Sequence, residues 1–154
     1  MRVNLGVPYA APPIGSRRFR APQLALEQAG ISQANKIGYW CPQSSLQALT
    51  NAPTPAQNED CLTLNVYAPA IINQKRGLPV MVYVHGGGSI SGSGASITYN
   101  GTNMINNNPE HPVVLVTFNY RLGALGWMAG DEMADEDALN LGLRDQAYVF
   151  KWVR

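Results

Sequence analysis

The pattern of apolar and polar residues along the chain predicts three strands. Residues 62–67 alternate apolar and polar side chains, which is typical of a strand with one buried face. Residues 79–84 and 112–118 are instead almost continuously apolar and rich in β-branched side chains. These two segments predict strands that are covered on both faces.

A helix is predicted from Leu141 onward. Asn140 can cap its N-terminus, and one face carries the apolar side chains of Leu143, Ala147, Phe150 and Val153. A shorter helix is predicted within residues 98–107, and the acidic stretch 131–137 is expected to be solvated surface. Six glycines and prolines within residues 1–24 predict no long regular element there.

This order of elements predicts an α/β fold with a mixed, mainly parallel sheet. The two continuously apolar strands are joined by a crossover, and a helix follows them. No repeat or linker divides residues 1–154, so they are expected to belong to one domain. A helix at the very end of the chain should cross over to another parallel strand. We therefore expect the sheet to be incomplete and the chain to be an N-terminal piece of that domain.

Composition and charge narrow the function classes. The chain is 45% hydrophobic and 14% charged, a balance typical of a globular domain rather than a disordered one. A formal net charge of +1 offers no electrostatic basis for binding nucleic acid. No apolar run reaches the roughly 20 residues of a transmembrane helix, and no signal peptide is visible at the start.

The two cysteines, Cys41 and Cys61, flank a loop rich in proline and polar residues. A metal site is not expected, because the only histidines, His85 and His111, lack ligand spacing to either cysteine. A disulfide closing the loop fits better, and it would imply an oxidising compartment. Two separately buried thiols are the alternative. No cofactor is expected.

The sequence His85-Gly86-Gly87-Gly88 follows the second predicted strand and has three interpretations. Phosphate binding is disfavoured, because the P-loop lysine is absent and a dinucleotide fingerprint would need glycine at Ser91. The second interpretation is a turn with only a structural role. The third is an oxyanion hole, since glycines allow backbone N–H groups to face a cavity and esterases use a loop of this type.

Five segments in the same order resemble the type-B carboxylesterase (cholinesterase-like) family of α/β-hydrolases. Together they cover nearly the whole chain, so the resemblance does not depend on a single motif. The segments are residues 6–22, 59–66, 78–88, 119–126 and 140–146.

The resemblance implies roles for the glycines and the cysteines. Gly87 and Gly88 match the family glycines whose N–H groups form the oxyanion hole. Cys41 and Cys61 match the pair that closes the first disulfide loop of the family.

The resemblance also implies two structural ion pairs. Arg18 matches the partner of Glu59 at the base of the disulfide loop, and Arg121 matches the partner of Asp145 in the last helix. We expect each pair to lie within salt-bridge distance. Separately, Asn100 begins an N-glycosylation sequon, Asn-Gly-Thr.

The chain departs from the family pattern in its catalytic residues, in the loop between the cysteines and at position 89. No serine has glycine two positions before and after it, so the family's Gly-x-Ser-x-Gly nucleophile is absent. Neither His85 nor His111 matches the catalytic base. The loop between the cysteines has no aromatic residue to bind a quaternary ammonium group, so choline esters are not expected substrates. Ser89 stands where the family usually has an aromatic residue, which favours bulkier acyl groups.

The resemblance thus implies a secreted or lumenal carboxylic-ester hydrolase, similar to carboxylesterases and lipases, that acts on a small-molecule or lipid ester. Its serine, histidine and acidic residue would lie beyond Arg154. This chain would supply the oxyanion hole and is expected to be inactive alone. The alternative is a non-catalytic adhesion or scaffold module that kept the fold.

Overall fold

A computed structural model describes residues 1–27, 29–43, 56–71 and 77–154. Most of the predicted loop between the cysteines, residues 44–55, lies outside these ranges. The described residues form one four-stranded sheet in the order β1-β2-β4-β3. The strands are β1 Arg2–Pro8, β2 Thr63–Ala68, β3 Val80–Tyr83 and β4 Val114–Phe118.

The helices lie between and after the last two strands. Helix α1 follows a short 3₁₀ turn in the crossover between β3 and β4, and three further helices come after β4. The acidic stretch, predicted only as surface, is a short exposed helix. The helices are α1 Thr102–Asn106, α2 Gly123–Trp127, α3 Asp131–Asp135 and α4 Leu141–Val153.

The mixed sheet confirms the predicted α/β class. Strand β2 pairs antiparallel with both β1 and β4, whereas β3 pairs parallel with β4. The parallel pair is the one that was predicted from the two continuously apolar segments and their crossover. Its parallel direction brings the carboxyl ends of β3 and β4 to the same edge of the sheet, where ligand sites of α/β folds usually lie.

Strand β1 contradicts the prediction that residues 1–24 contain no long regular element. Pairing with β2 overrides the local breakers, because the register shifts between Asn4 and Val7 and accommodates Gly6 in a bulge. Gly6 has φ +63°, and a Cβ there would lie 2.4 Å from the Lys36 carbonyl oxygen. Its N–H donates to Asn65 Oδ1 at 3.0 Å, so the bulge keeps its hydrogen bond.

The main core lies around β2 and β4. Leu64 and Phe118, which face each other across these strands, are fully buried, and Val149 of α4 belongs to the same cluster. Both cysteines are also part of this core. A smaller cluster forms where Ile105 of α1 packs with residues of the sheet.

Strand β3 is more exposed than its sequence predicts. Val80, Met81 and Tyr83 are 43%, 47% and 37% exposed. The apolar pattern predicts cover on both faces, but β3 is the edge strand of the described sheet and contacts only β4 as a neighbour. The prediction of two-sided burial is therefore wrong for the described residues.

Helix α4 buries a different face from the predicted one. Its buried positions include Leu141, Asp145 and Val149, which are spaced four residues apart, whereas Leu143 and Phe150 are 54% and 49% exposed. The apolar pattern is misleading because a charged residue occupies the middle of the buried face. Asn140 is at the N-cap position as predicted, but its side chain makes no capping hydrogen bond.

Cys41 and Cys61 form the expected disulfide. Replacing both with alanine is expected to lower the free energy of unfolding by about 3 kcal/mol, because the closed loop restricts the unfolded chain. Urea denaturation of the two proteins measures the difference, and reduced wild-type protein serves as the control. Equal stabilities of the oxidised and reduced proteins would contradict this.

Within the described ranges, none of the helices combines the length and the apolar character that crossing a membrane requires.

Candidate active site at the glycine turn

The chain turns sharply after β3, through residues 86–91, which we call the glycine turn. Gly87 and Gly88 have φ values of +119° and +62°, in the region that favours glycine. A Cβ on Gly87 would lie 2.0 Å from the Ser91 carbonyl oxygen, whereas one on Gly88 would have only a side-chain atom of Ile90 at 4.0 Å. The turn therefore requires glycine at position 87 for both conformation and space.

The peptide group that joins Gly86 to Gly87 is held through its carbonyl oxygen. The ring Nδ1 of His85 lies 2.9 Å from the Gly86 carbonyl oxygen. Since a carbonyl oxygen can only accept, Nδ1 carries the proton and donates it. In a trans peptide the C=O and the next N–H point in opposite directions. The Gly87 N–H is therefore directed away from the buried histidine ring.

The peptide group that joins Gly87 to Gly88 is also held through its carbonyl oxygen. The Gly87 carbonyl oxygen accepts from the backbone N–H groups of Ile90 and Ser91 at 3.2 and 3.1 Å. The Gly88 N–H then points away from this closed turn. Across the described part of the chain, neither the Gly87 nor the Gly88 N–H has a hydrogen-bond acceptor. Both are therefore available to bind an oxygen atom of a ligand.

His85 lies behind the glycine turn rather than at its surface. Its ring is stacked on Tyr120 at a centroid distance of 4.4 Å, and the Tyr120 hydroxyl donates to the His85 carbonyl oxygen at 2.9 Å. Burial lowers the pKa of His85, and the hydrogen bond to Gly86 opposes this shift to a lesser extent. A buried, neutral imidazole that already donates to the backbone suits a structural role.

The Nε2 atom of His85 is buried, and no atom of the described residues pairs with it. Because Nδ1 carries the proton, Nε2 is an acceptor that lacks a donor. His111 lies in an exposed position before β4, away from any such packing. The structure thus brings one of the two histidines to the glycine turn and not the other.

The segment that follows the turn is fixed against β4. Ser93 Oγ and the Gly94 N–H both donate to Asn119 Oδ1, at 2.7 and 2.9 Å. Asn65 Nδ2 donates to the Gly94 carbonyl oxygen at 3.1 Å. A Cβ on Gly94 would lie 2.2 Å from the Phe118 carbonyl oxygen, so only glycine allows this close approach.

Arg121 and Asp145 form a buried, bidentate ion pair. Arg121 Nε donates to Asp145 Oδ2 at 2.8 Å, and its Nη2 donates to Oδ1 at 2.7 Å. The Arg121 backbone N–H also donates to Oδ2, and the Arg121 Nη1 donates to the Arg20 carbonyl oxygen. The two side chains are 4% and 0% exposed. This pair ties the loop after β4 to α4.

The Arg18–Glu59 pair also forms, but at the surface. Arg18 Nε donates to Glu59 Oε2 at 2.7 Å, and a second hydrogen bond joins Nη2 to Oε1. The hydrogen bond to Glu59 raises the pKa of Arg18, and the negative charge of Glu59 adds to the effect. Because Arg18 is 51% exposed, this pair adds little to stability.

The sequence did not predict two further exposed ion pairs. Arg20 Nη1 lies 2.6 Å from Glu136 Oε2. Arg144 of α4 forms a bidentate pair with Asp137. The hydrogen bonds from Arg144, together with its charge, lower the pKa of Asp137. Such pairs carry no sequence signature beyond the presence of charges.

The sequon residue Asn100 is exposed and follows the 3₁₀ turn Ile97–Tyr99. Its Oδ1 accepts from the Thr102 N–H at 2.9 Å and from the Thr102 hydroxyl.

No group of three or more potential metal ligands comes together among the residues that the structure describes.

The chain is similar to known proteins of one family. The sequence profile of the "Carboxylesterase family" matches residues 1–154. The para-nitrobenzyl esterase of Bacillus subtilis (strain 168) is 41% identical over 150 residues, which are 97% of this chain and 30% of that protein. The fumonisin B1 esterase of Sphingopyxis macrogoltabida is 38% identical over 97% of this chain and 27% of its own length.

A solved structure of a thermophilic PNB esterase superposes with a TM-score of 0.86. It is 40% identical to this chain and covers 98% of it, while the chain covers 30% of that structure. The chain thus spans less than a third of the length of these relatives. Since the family profile matches the whole chain, the chain belongs to the carboxylesterase family.

Proposed function

We propose that the protein carrying this chain hydrolyses carboxylic esters, and that the Gly87 and Gly88 N–H groups form its oxyanion hole. The observation that carries the proposal is a pair of N–H groups to which no described residue offers an acceptor, in a turn whose carbonyl groups are already engaged. Membership of the carboxylesterase family supports the same chemistry.

The proposed reaction uses this arrangement. A serine outside residues 1–154 attacks the ester carbonyl, and a histidine, also outside them, accepts its proton and returns it to the leaving alcohol. As the carbonyl oxygen becomes negative, the two N–H groups donate to it. Each such donor is worth about 3–4 kcal/mol of barrier. The acyl group is then bound to the serine. Water, which gives its proton to the same histidine, attacks this acyl group and releases the carboxylic acid and the free serine.

The substrate cavity needs further walls. Gly87 and Gly88 are exposed among the described residues, so the residues that enclose the ester would come from elsewhere in the protein. Ser89 presents a small side chain next to the two donors, which favours bulky acyl groups. The disulfide supports a secreted or lumenal location for the protein.

Assay of two proteins tests the proposal. The protein whose sequence continues beyond Arg154 is expected to contain Gly-x-Ser-x-Gly and to hydrolyse p-nitrophenyl esters, with inhibition by an organophosphate. Residues 1–154 alone are expected to be inactive, because the nucleophile is missing.

Two results would contradict this expectation. A continuation with another residue in place of the serine, together with no turnover, would favour the scaffold alternative. Organophosphate-sensitive turnover by residues 1–154 alone would show that the nucleophile lies within this chain.

A further inference from the structure

Gln43 joins the disulfide loop to the segment that follows the glycine turn. Its Nε2 donates to the Gly92 carbonyl oxygen at 2.8 Å, and its Oε1 accepts from the Gly92 N–H at 2.7 Å. A side-chain amide that pairs with both backbone groups of one residue fixes that residue in position and orientation. Gly92 is separated from Gln43 by 49 residues, so this contact is tertiary and not part of a local turn.

Gln43 is itself held in place before it reaches Gly92. Its N–H donates to Gln57 Oε1 at 3.0 Å, and its Nε2 also contacts the Cys41 carbonyl oxygen at 3.1 Å. Next to it, Trp40 exchanges backbone hydrogen bonds with residues 56 and 58, at 3.1 and 3.0 Å. These contacts and the disulfide close the neck of the loop and fix the backbone from which the Gln43 side chain reaches Gly92.

Gly92 in turn packs directly against the groups that orient the donors. A Cβ on Gly92 would lie 2.3 Å from the Gly86 carbonyl oxygen and 2.6 Å from His85 Nδ1. These are the two atoms of the hydrogen bond that directs the Gly87 N–H. A shift of Gly92 would therefore disturb that hydrogen bond.

We infer that Gln43 is a positioning residue for the glycine turn, which it holds through Gly92 from the neck of the disulfide loop. This inference rests on the proposed function, because the turn is the proposed oxyanion hole. Gln43 does not touch the reacting atoms. It acts by restricting Gly92, the His85 ring and the Gly86 carbonyl group to one arrangement.

Substitution of Gln43 in the full-length protein tests the inference. Gln43→Met keeps the side-chain length and removes both hydrogen bonds to Gly92, whereas Gln43→Glu keeps the acceptor and replaces the donor with a second oxygen. We expect kcat to fall about 10- to 100-fold, the scale of an ångström-sized misplacement of a catalytic group. KM should change little, because the donors act mainly on the transition state.

Gln23→Met is the matched control. Gln23 is exposed and takes part in the structure through its backbone carbonyl group, which accepts from Ala11. We expect this variant to keep the wild-type kcat. If Gln43→Glu does not fold, Gln43→Met decides the result.

A measurement that needs no activity separates this inference from the proposed function. Hydrogen exchange followed by NMR should show a protected Gly92 amide in the wild-type protein and loss of that protection in Gln43→Met. The Gly87 and Gly88 amide resonances should shift in the same variant. A protein without esterase activity that still shows these changes would retain the positioning role and lose the proposed function. Unchanged Gly92 protection, or an unchanged kcat in both Gln43 variants, would overturn the inference.

Discussion

Replacing Asp145 with alanine is expected to lower the free energy of unfolding by about 3–5 kcal/mol, because it leaves a buried guanidinium without its counter-ion. The Arg121 side chain is 4% exposed, so water cannot replace the lost carboxylate. The Arg121 backbone N–H would lose its acceptor as well. Urea denaturation of the protein that carries this chain measures the loss.

The Arg144–Asp137 pair provides a matched control. It is also bidentate, but Asp137 is 83% exposed. Asp137→Ala should therefore change stability little, since water solvates the arginine that remains. Equal losses for Asp145→Ala and Asp137→Ala would show that burial does not set the strength of these pairs. Replacing both Arg121 and Asp145 with apolar residues should cost less than Asp145→Ala, because no charge is left unpaired.

Replacing Gly87 with alanine is expected to lower kcat about 10²- to 10³-fold, the effect of losing one oxyanion donor. The added Cβ would lie 2.0 Å from the Ser91 carbonyl oxygen, so the turn must change its conformation. The Gly87 N–H then no longer points away from His85. Steady-state kinetics with p-nitrophenyl esters measures the loss, and thermal unfolding shows whether the protein remains folded.

Gly15→Ala controls for backbone strain. Gly15 has φ +58°, close to the +62° of Gly88, and no atom lies within 4 Å of the position of its Cβ. This substitution carries the strain of a left-handed alanine without touching the glycine turn. Gly88→Ala has similar strain and almost as much space. It places that strain on a proposed donor, so it should lower kcat while Gly15→Ala does not. A wild-type kcat in both Gly87→Ala and Gly88→Ala would contradict the proposed role of the turn.

Some elements of the fold could be predicted from the sequence, and others could not. The two continuously apolar segments identified β3 and β4, since the strands of a parallel sheet usually have this pattern. Strand β1 was not predicted, because its pairing with β2 tolerates Gly6 in a bulge, where the Gly6 amide binds Asn65, a residue distant in sequence. The buried face of α4 was misassigned because Asp145, a charged residue, occupies it. The spacing of apolar residues along a sequence does not reveal a buried carboxylate.

The candidate site was also only partly predictable. The glycine run after a strand pointed to the turn, and the resemblance to a family pointed to its two donors. The supports of the turn were missed, namely the His85–Gly86 hydrogen bond, the Asn119 network and the Gln43–Gly92 contact. Each depends on the side-chain direction of a residue that is far away in sequence or buried by packing. No local pattern in the sequence reports such directions.

The engagement of the Gly86 and Gly87 carbonyl groups has a thermodynamic consequence. Their peptide planes are fixed before any ligand binds, so a bound anion would order no further backbone in the turn. A transition-state analogue, such as a boronic acid, should therefore bind without an entropic penalty from this segment. Calorimetry should show that penalty only when His85 or Gln43 has been replaced.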